Sequence, residues 1–235
     1  MRPVFVSFIV LLWAGFVMLT RWTEHPVPVG APTPPPSGPE WINLLDAAHA
    51  GGWKNITDDK NIFEVRDGVL HIFGSTLYPL RYVGYTSEPF SNFDLHVEFK
   101  LVHAANSGVF LRVLEGDPVK RGFEVQVLDD FGQPPNKNGS GAIYDVVSPM
   151  FNMARPAGEW NSYDIRVANA VVTVTMNGWK IIEANFDQMT SPIGKFTIPY
   201  ASLPFDGIIA LQDHGGEVWY RNVYVRPHTM TPSIH

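Results

Sequence analysis

The stretch "FDLHVEFKLV", Phe93 to Val102, decides the fold class. Phe93, Leu95, Val97, Phe99 and Leu101 fall on one face of an extended chain, and Asp94, His96, Glu98 and Lys100 fall on the other. Strict alternation at period 2 marks a half-buried β-strand. The pattern continues outward from this run. "NIFEVRDGVLHIFG" (Asn61 to Gly74) sets Asp67-Gly68 between two alternating runs, which signals a hairpin. "SGVFLRVLE" (Ser107 to Glu115) puts Val109, Leu111 and Val113 on one face, with Phe110 and Arg112 on the other. "SYDIRVANAVVTVTMNGWKIIEAN" (Ser162 to Asn185) reads as a meander with turns near Ala168-Asn169 and Asn177-Gly178. "DGIIALQDHGGEVWYRNVYVRP" (Asp206 to Pro227) gives two last strands around Gly215-Gly216. Only "LLDAAHAG" (Leu44 to Gly51) offers a short helical turn. About ten to twelve strands without intervening helices predict an all-β fold of two packed antiparallel sheets, a jelly-roll sandwich.

Composition agrees with this and excludes several functions. The chain has 235 residues, only 17% of them charged, with 20 glycines and 20 prolines for turns. A net charge of -6 leaves no basic stripe, so nucleic acid is excluded as a partner. With no cysteine, disulfides, thiolate metal sites and a cysteine nucleophile are excluded. No phosphate loop, nucleophile elbow or dinucleotide fingerprint occurs.

The N-terminus is a separate object. "PVFVSFIVLLWAGFVMLT" (Pro3 to Thr20) is 18 residues without a charge, flanked by Arg2 and Arg21. As a helix it would span about 27 Å, enough for a bilayer core. Residues 1–22 therefore read as a signal peptide or a membrane-anchor helix. The nearest small-x-small cleavage site, "VGA" ending at Ala31, is followed by Pro32, which favours an uncleaved anchor. "HPVPVGAPTPPPSGP" (His25 to Pro39) holds seven prolines in fifteen residues and reads as an extended spacer with few contacts. The expected organisation is an anchor or signal over 1–22, a proline-rich linker over 23–40, a jelly-roll domain over 41–228 and a tail over 229–235. The expected location is extracytoplasmic, periplasmic or secreted, held to the membrane through residues 3–20. No protein partner is predicted.

The stretch "GFEVQVLDD" (Gly122 to Asp130) raises the question of function. Val125 and Val127 face inward, so Glu124 and Gln126 stand side by side on the outer face. Alternation puts Glu98, Arg112, Gln212 and His214 on outer strand faces too. If these strands are neighbours, six side chains make one polar cleft, and Phe110, Tyr144 and tryptophans supply flat apolar surface. Planar polar groups beside aromatic faces suit a carbohydrate. A single outward Glu or Gln is ordinary solvated surface, so the argument rests on the set. Lysine is missing from "EVQV" and "ALQDHGG", where a plain surface strand would favour it. No metal signature is present: the histidines have no i, i+2 or i, i+4 pairing. A divalent metal ion held by oxygen ligands of Asp129, Asp130 and Asp145 stays open, although no loop has calcium spacing.

"NSGVFLR", "GFEVQVLDD", "GAIYDVVSP", "RPAGEWNSYDIRV", "VTVTMNGWKIIEANFD" and "GIIALQDHGGEVWYRNVYVRP" occur in this order. Together they closely resemble the 3-keto-disaccharide hydrolase family, a concanavalin-like jelly roll, from about Trp53 to Pro227. The resemblance implies cleavage of glycosides already oxidised to a ketone at C3. Such a ketone acidifies the C2 proton, so a base can remove it and the C1 substituent leaves by elimination before water adds back. The chemistry needs a base, an acid for the leaving oxygen and donors to the developing enolate. Strand faces make Glu124 the base, His214 the acid, and Arg112 with Gln126 the enolate donors. Glu98, Asn106, Tyr144 and Gln212 are the expected substrate-binding residues. A weaker resemblance is to jelly-roll endoglycanases with a Glu-x-Asp-x-x-Glu strand. "EVQVLD" keeps the spacing, but Gln126 replaces the central acid and Asp129 the last, which disfavours a retaining two-carboxylate mechanism. A non-catalytic carbohydrate-binding module and a purely structural sandwich are the competing readings.

Overall fold

The computed structural model describes residues 29–75, 78–114, 121–194 and 196–228. The expected anchor over 1–22 and the tail over 229–235 lie outside the described residues. Thirteen strands follow in order: β1 (Ile42–Asn43), β2 (Trp53–Asn55), β3 (Phe63–Arg66), β4 (Val69–Ile72), β5 (Arg81–Phe90), β6 (Phe93–Leu101), β7 (Asn106–Val113), β8 (Phe123–Leu128), β9 (Asn161–Ala168), β10 (Val171–Met176), β11 (Trp179–Asn185), β12 (Gly207–Asp213) and β13 (Val218–Pro227). The described helices are three short 3₁₀ turns, one of them, Ala50–Gly52, overlapping the end of the expected turn "LLDAAHAG" (Leu44 to Gly51).

The strands form two antiparallel sheets, as predicted. The larger has the order β11-β10-β9-β6-β13-β4-β3, with β1 added beside β13. The smaller has the order β2-β5-β12-β7-β8. Their inner faces pack into one core, where Phe93, Leu95, Val97, Phe99 and Leu101 of β6 are all buried. From the facing sheet come Val83 and Tyr85 of β5, Val109 and Leu111 of β7, Val125 and Val127 of β8, and Ile209 and Leu211 of β12. Each fully buried large apolar side chain contributes about 1.5–3 kcal/mol relative to exposure. The predicted turns are where the chain reverses. Asp67 and Gly68 have φ of 52° and 75°, and Asn177 and Gly178 have 48° and 83°. Two successive left-handed residues make the tight turn that matches strand twist.

The free edge of the smaller sheet is covered. Gly141 N–H donates to Gln126 O, Gln126 N–H to Ala142 O, and Tyr144 N–H to Glu124 O. Residues 141–144 thus run alongside β8 and bring Tyr144 next to Glu124.

The proline-rich segment departs from the expectation of few contacts. Residues 29–37 lack regular secondary structure but lie against the outer face of the larger sheet. Thr33 N–H donates to Ser162 Oγ at 2.8 Å, and Thr33 Oγ1 donates to Asp164 Oδ2 at 2.6 Å. Arg155 donates to Gly30 O at 3.0 Å, and Gly30 is packed so closely on Asn177 that a Cβ would meet its carbonyl at 2.4 Å. The reason is local: the neighbouring prolines have no N–H, so Thr33 supplies both donors that tie the strap down.

Candidate active site

Register places the site on the outer face of the smaller sheet. Gly108 pairs with Gln126 and Phe110 with Glu124 between β7 and β8. Ala210 of β12 pairs with Phe110, and Gln212 pairs with Tyr82 of β5. Directly paired residues share a face, so Tyr82, Gln212, Ala210, Phe110, Gly108, Glu124 and Gln126 form one surface. Glu124 does not stand off this surface. A Cβ on Gly108 would sit 2.2 Å from Glu124 Oε1 and 2.9 Å from both Cγ and Cδ. The glutamate side chain is folded flat across the strand at the position left empty by the glycine.

Two hollows share this surface. The polar one, about 260 Å³, is lined by Leu80, Asn106, Glu124, Gln126, Tyr144, Gln212 and His214. The apolar one, about 330 Å³, is lined by Leu80, Tyr82, Phe110, Gly122, Phe123, Glu124, Phe196 and Gln212. Leu80, Glu124 and Gln212 form the wall common to both. In the polar hollow, His214 Nδ1 and Asn106 Oδ1 are buried without a hydrogen-bond partner. A buried polar atom left unpaired costs about 1–3 kcal/mol, and both of these belong to residues that line the polar hollow. Gln126 is committed in part: its Nε2 donates to Asn138 O at 3.2 Å and its Oε1 accepts from Val127 N–H. One amide hydrogen remains for the hollow. In the apolar hollow Tyr82 and Phe110 meet edge to face at 5.1 Å, and they belong to a small apolar cluster with Val113, Ile208 and Ala210.

The end of β12 is braced from below. The wholly buried Asp213 accepts from Ser75 N–H, from Ser75 Oγ at 2.7 Å and from Gly215 N–H. This ties Ser75 to the end of β12, and Tyr78 meets the His214 ring at 5.9 Å. Arg81 Nε donates to Asp58 at 2.7 Å in the same loop system, and that bond, against the effect of burial, holds the Asp58 carboxyl down to about 2.

Six of the eight residues expected at the site are brought together: Asn106, Glu124, Gln126, Tyr144, Gln212 and His214. Two are elsewhere. Glu98 lies on β6, in the other sheet, where Arg221 Nε and Asn222 Nδ2 each donate to it at 2.7 Å. Alternation gave its face correctly but could not say which sheet that face belongs to. Arg112 is on the right sheet but not at the hollow. The pairing of β12 with β7 slips between Ile208 and Ala210, and Arg112 itself has φ of 52°. The extra residue of this bulge reverses the alternation, so Val113 joins Phe110 on the outer face and Arg112 is redirected. Its guanidinium donates to Ser91 O at 2.7 Å and Asn169 O at 2.8 Å, and burial lowers its pKa to about 10. Both side chains brace the fold.

Leu80, Tyr82, Phe123 and Phe196 line the hollows without having been singled out from the sequence. Tyr82 was recoverable from the alternation of Val83 and Tyr85 with Tyr82 and Gly84. Leu80 and Phe196 sit in irregular loops, where no period exists to reveal them. Among the described residues no group of three or more His, Asp or Glu side chains is arranged to hold a metal ion. Asp145 is paired with Lys137 at 2.5 Å, Asp129 accepts from Ala104 N–H, and Asp130 accepts from Ser140 N–H.

With this geometry in view, comparison with known proteins is informative. A family described as the 3-keto-alpha-glucoside-1,2-lyase-like domain matches residues 40–226. A curated relative from Bacteroides thetaiotaomicron, named 3-keto-disaccharide hydrolase, is 27% identical over 225 residues, spanning 79% of this chain and 78% of its own. Two crystal structures of glycosyl hydrolase candidates from Parabacteroides distasonis ATCC 8503 are similar. One is 25% identical with a TM-score of 0.70, covering 80% of this chain and 94% of its own. The other is 28% identical with a TM-score of 0.64, covering 75% of this chain and 99% of its own.

Proposed function

Because the chain belongs to the 3-keto-alpha-glucoside-1,2-lyase-like domain family, we propose that it cleaves glycosidic bonds of sugars oxidised to a ketone at C3, a 3-keto-disaccharide among them. The observation that carries this reading is the position of Glu124: a carboxylate in the wall between a polar and an aromatic hollow, the polar one lined also by a histidine with an unpartnered nitrogen. The oxidised ring fits the polar hollow, where Asn106, Gln126, Tyr144 and Gln212 offer planar amide and hydroxyl partners. The second ring fits the hollow of Tyr82, Phe110 and Phe196, whose aromatic surfaces suit C–H groups. The bond between the rings then lies beside Glu124.

The steps follow from the ketone. Glu124 takes the C2 proton, and the electron pair moves into an enediolate whose oxygen receives hydrogen bonds from the amide groups. The C1–O bond breaks as His214 delivers a proton to the departing oxygen, leaving a C1=C2 double bond. Water adds at C1 and a proton returns to C2, so the net change is hydrolysis. The enolate donors come from Gln126, Gln212 and Asn106, with Arg112 held elsewhere. Gln126 in place of a middle acid argues against a retaining glycanase, which needs two carboxyls about 5–5.5 Å apart.

Glu124→Gln keeps shape and removes the base. Turnover of a 3-keto-glucoside should fall by about 10²–10⁴, the usual worth of a positioned general base, while KM changes little. In deuterated water the native chain should also exchange the C2 hydrogen and the variant should not. A variant that turns over and exchanges at the native rate would remove Glu124 from this role. Measurable affinity for the ketone substrate with no turnover by the native chain would instead make the site a binding module.

A further inference from the structure

Four of the large apolar side chains exposed on the described surface gather where the strap enters the fold. Met150 is 59% exposed, Phe151 48%, Trp179 54% and Val29 45%. Phe151 and Trp179 meet at 6.5 Å, and Met150 N–H donates to Ile181 O, two residues beyond Trp179. Gly30 packs on Asn177, and a Cβ on Gly178 would lie 3.8 Å from Ala31 O. Val29, next to Gly30, therefore lies near the turn that precedes Trp179. None of these residues belongs to the hollows around Glu124.

What covers this patch is indicated by the chain that leads to it. Pro3 to Thr20 is uncharged, apolar and long enough to cross a bilayer, and Arg21-Trp22 is the pairing of residue types found at a membrane surface. The nine steps from Thr20 to Val29 span at most about 30 Å. The patch is thus held within that distance of any bilayer the apolar run enters. Trp179, which follows the β10–β11 turn, is the residue type that settles at the headgroup boundary, and Phe151 of the neighbouring loop packs against its ring. We propose that Val29, Met150, Phe151 and Trp179 form a membrane-docking face that seats the domain on the lipid surface entered by residues 3–20. The net charge of -6 makes the contact apolar in origin, so it should not require anionic lipid.

The test uses the full chain in phosphatidylcholine vesicles and in vesicles of the same lipid brominated along the acyl chains. The emission of Trp179 is taken as the difference between the native chain and Trp179→Tyr. It should fall by more than about twofold in the brominated vesicles, since bromine quenches only indoles at the lipid boundary. Equal Trp179 emission in both vesicles would overturn the proposal. So would a full chain that stays free of vesicles, or one that buries the patch in a soluble dimer.

Discussion

Gly108 has no side chain, and Glu124 occupies the space that one would need. The clash a Cβ would make is with the carboxylate and the carbon behind it, so an added methyl group displaces the glutamate and leaves the strand intact. Gly108→Ala should therefore lower turnover of the ketone substrate by about 10-fold or more with little change in unfolding midpoint. Added to Glu124→Gln it should cost almost nothing further, because the group it displaces is no longer a base. Full additivity of the two changes would mean that Gly108 acts apart from Glu124. Arg112 makes the opposite prediction. Arg112→Ala leaves the carbonyls of Ser91 and Asn169 without their donor, at about 1–3 kcal/mol for each left unpaired. Its effect should appear in urea denaturation, with KM and kcat close to native in the folded fraction. A stable variant with damaged kcat would return Arg112 to the chemistry.

The β6–β9–β13 surface and its strap behave as a unit with its own titration. His96 is buried beside Asp164, whose Oδ1 lies 2.7 Å from Nδ1, and near Glu98 at 3.8 Å from Nε2. Burial alone would lower the His96 pKa, but the two carboxylates outweigh it and raise it. Burial would raise the Glu98 pKa, but His96, Asn222 and Arg221 outweigh it and bring it down to about 2. Asp94, Lys100, Arg166 and Arg226 also face this surface, and Thr33 of the strap bonds Asp164. Because its folded pKa is raised, His96 stabilises fully below the ordinary 6.5 and loses that contribution as pH rises through the folded value. Glu98, with a depressed pKa, stabilises above 4.5 and loses its contribution as pH falls toward about 2. His96→Gln should flatten the alkaline side of the stability profile and leave the acid side in place. An unchanged alkaline limb would contradict this account. The same elements show what the sequence made legible. β6, β8 and β12 keep strict alternation, so Glu124, Gln126 and Gln212 were each readable as outward-facing. Parity carries no information about which sheet a strand joins, which misplaced Glu98. It also fails at a bulge, which misplaced Arg112, and it is silent in the loops that supply Leu80 and Phe196.

At the scale of the whole molecule the two sheets have different uses. The larger has its outer face closed by charge pairs, by cation–π contacts such as Arg221 over Trp160 at 4.0 Å, and by the strap. The smaller carries the polar and aromatic hollows side by side on its outer face, around Glu124. One sandwich thus separates the surface that carries the strap from the surface proposed to take a sugar. The chemistry assigned to that surface depends on one property of the substrate, the acidity that a C3 ketone gives to the C2 proton. The most direct test is the turnover of a 3-keto-glucoside and of its unoxidised parent by the same preparation of the full chain, measured side by side. The account predicts cleavage of the ketone and little or none of the parent, whose C2 proton is not acidic. Equal rates on the two would contradict it and return the site to ordinary glycoside hydrolysis.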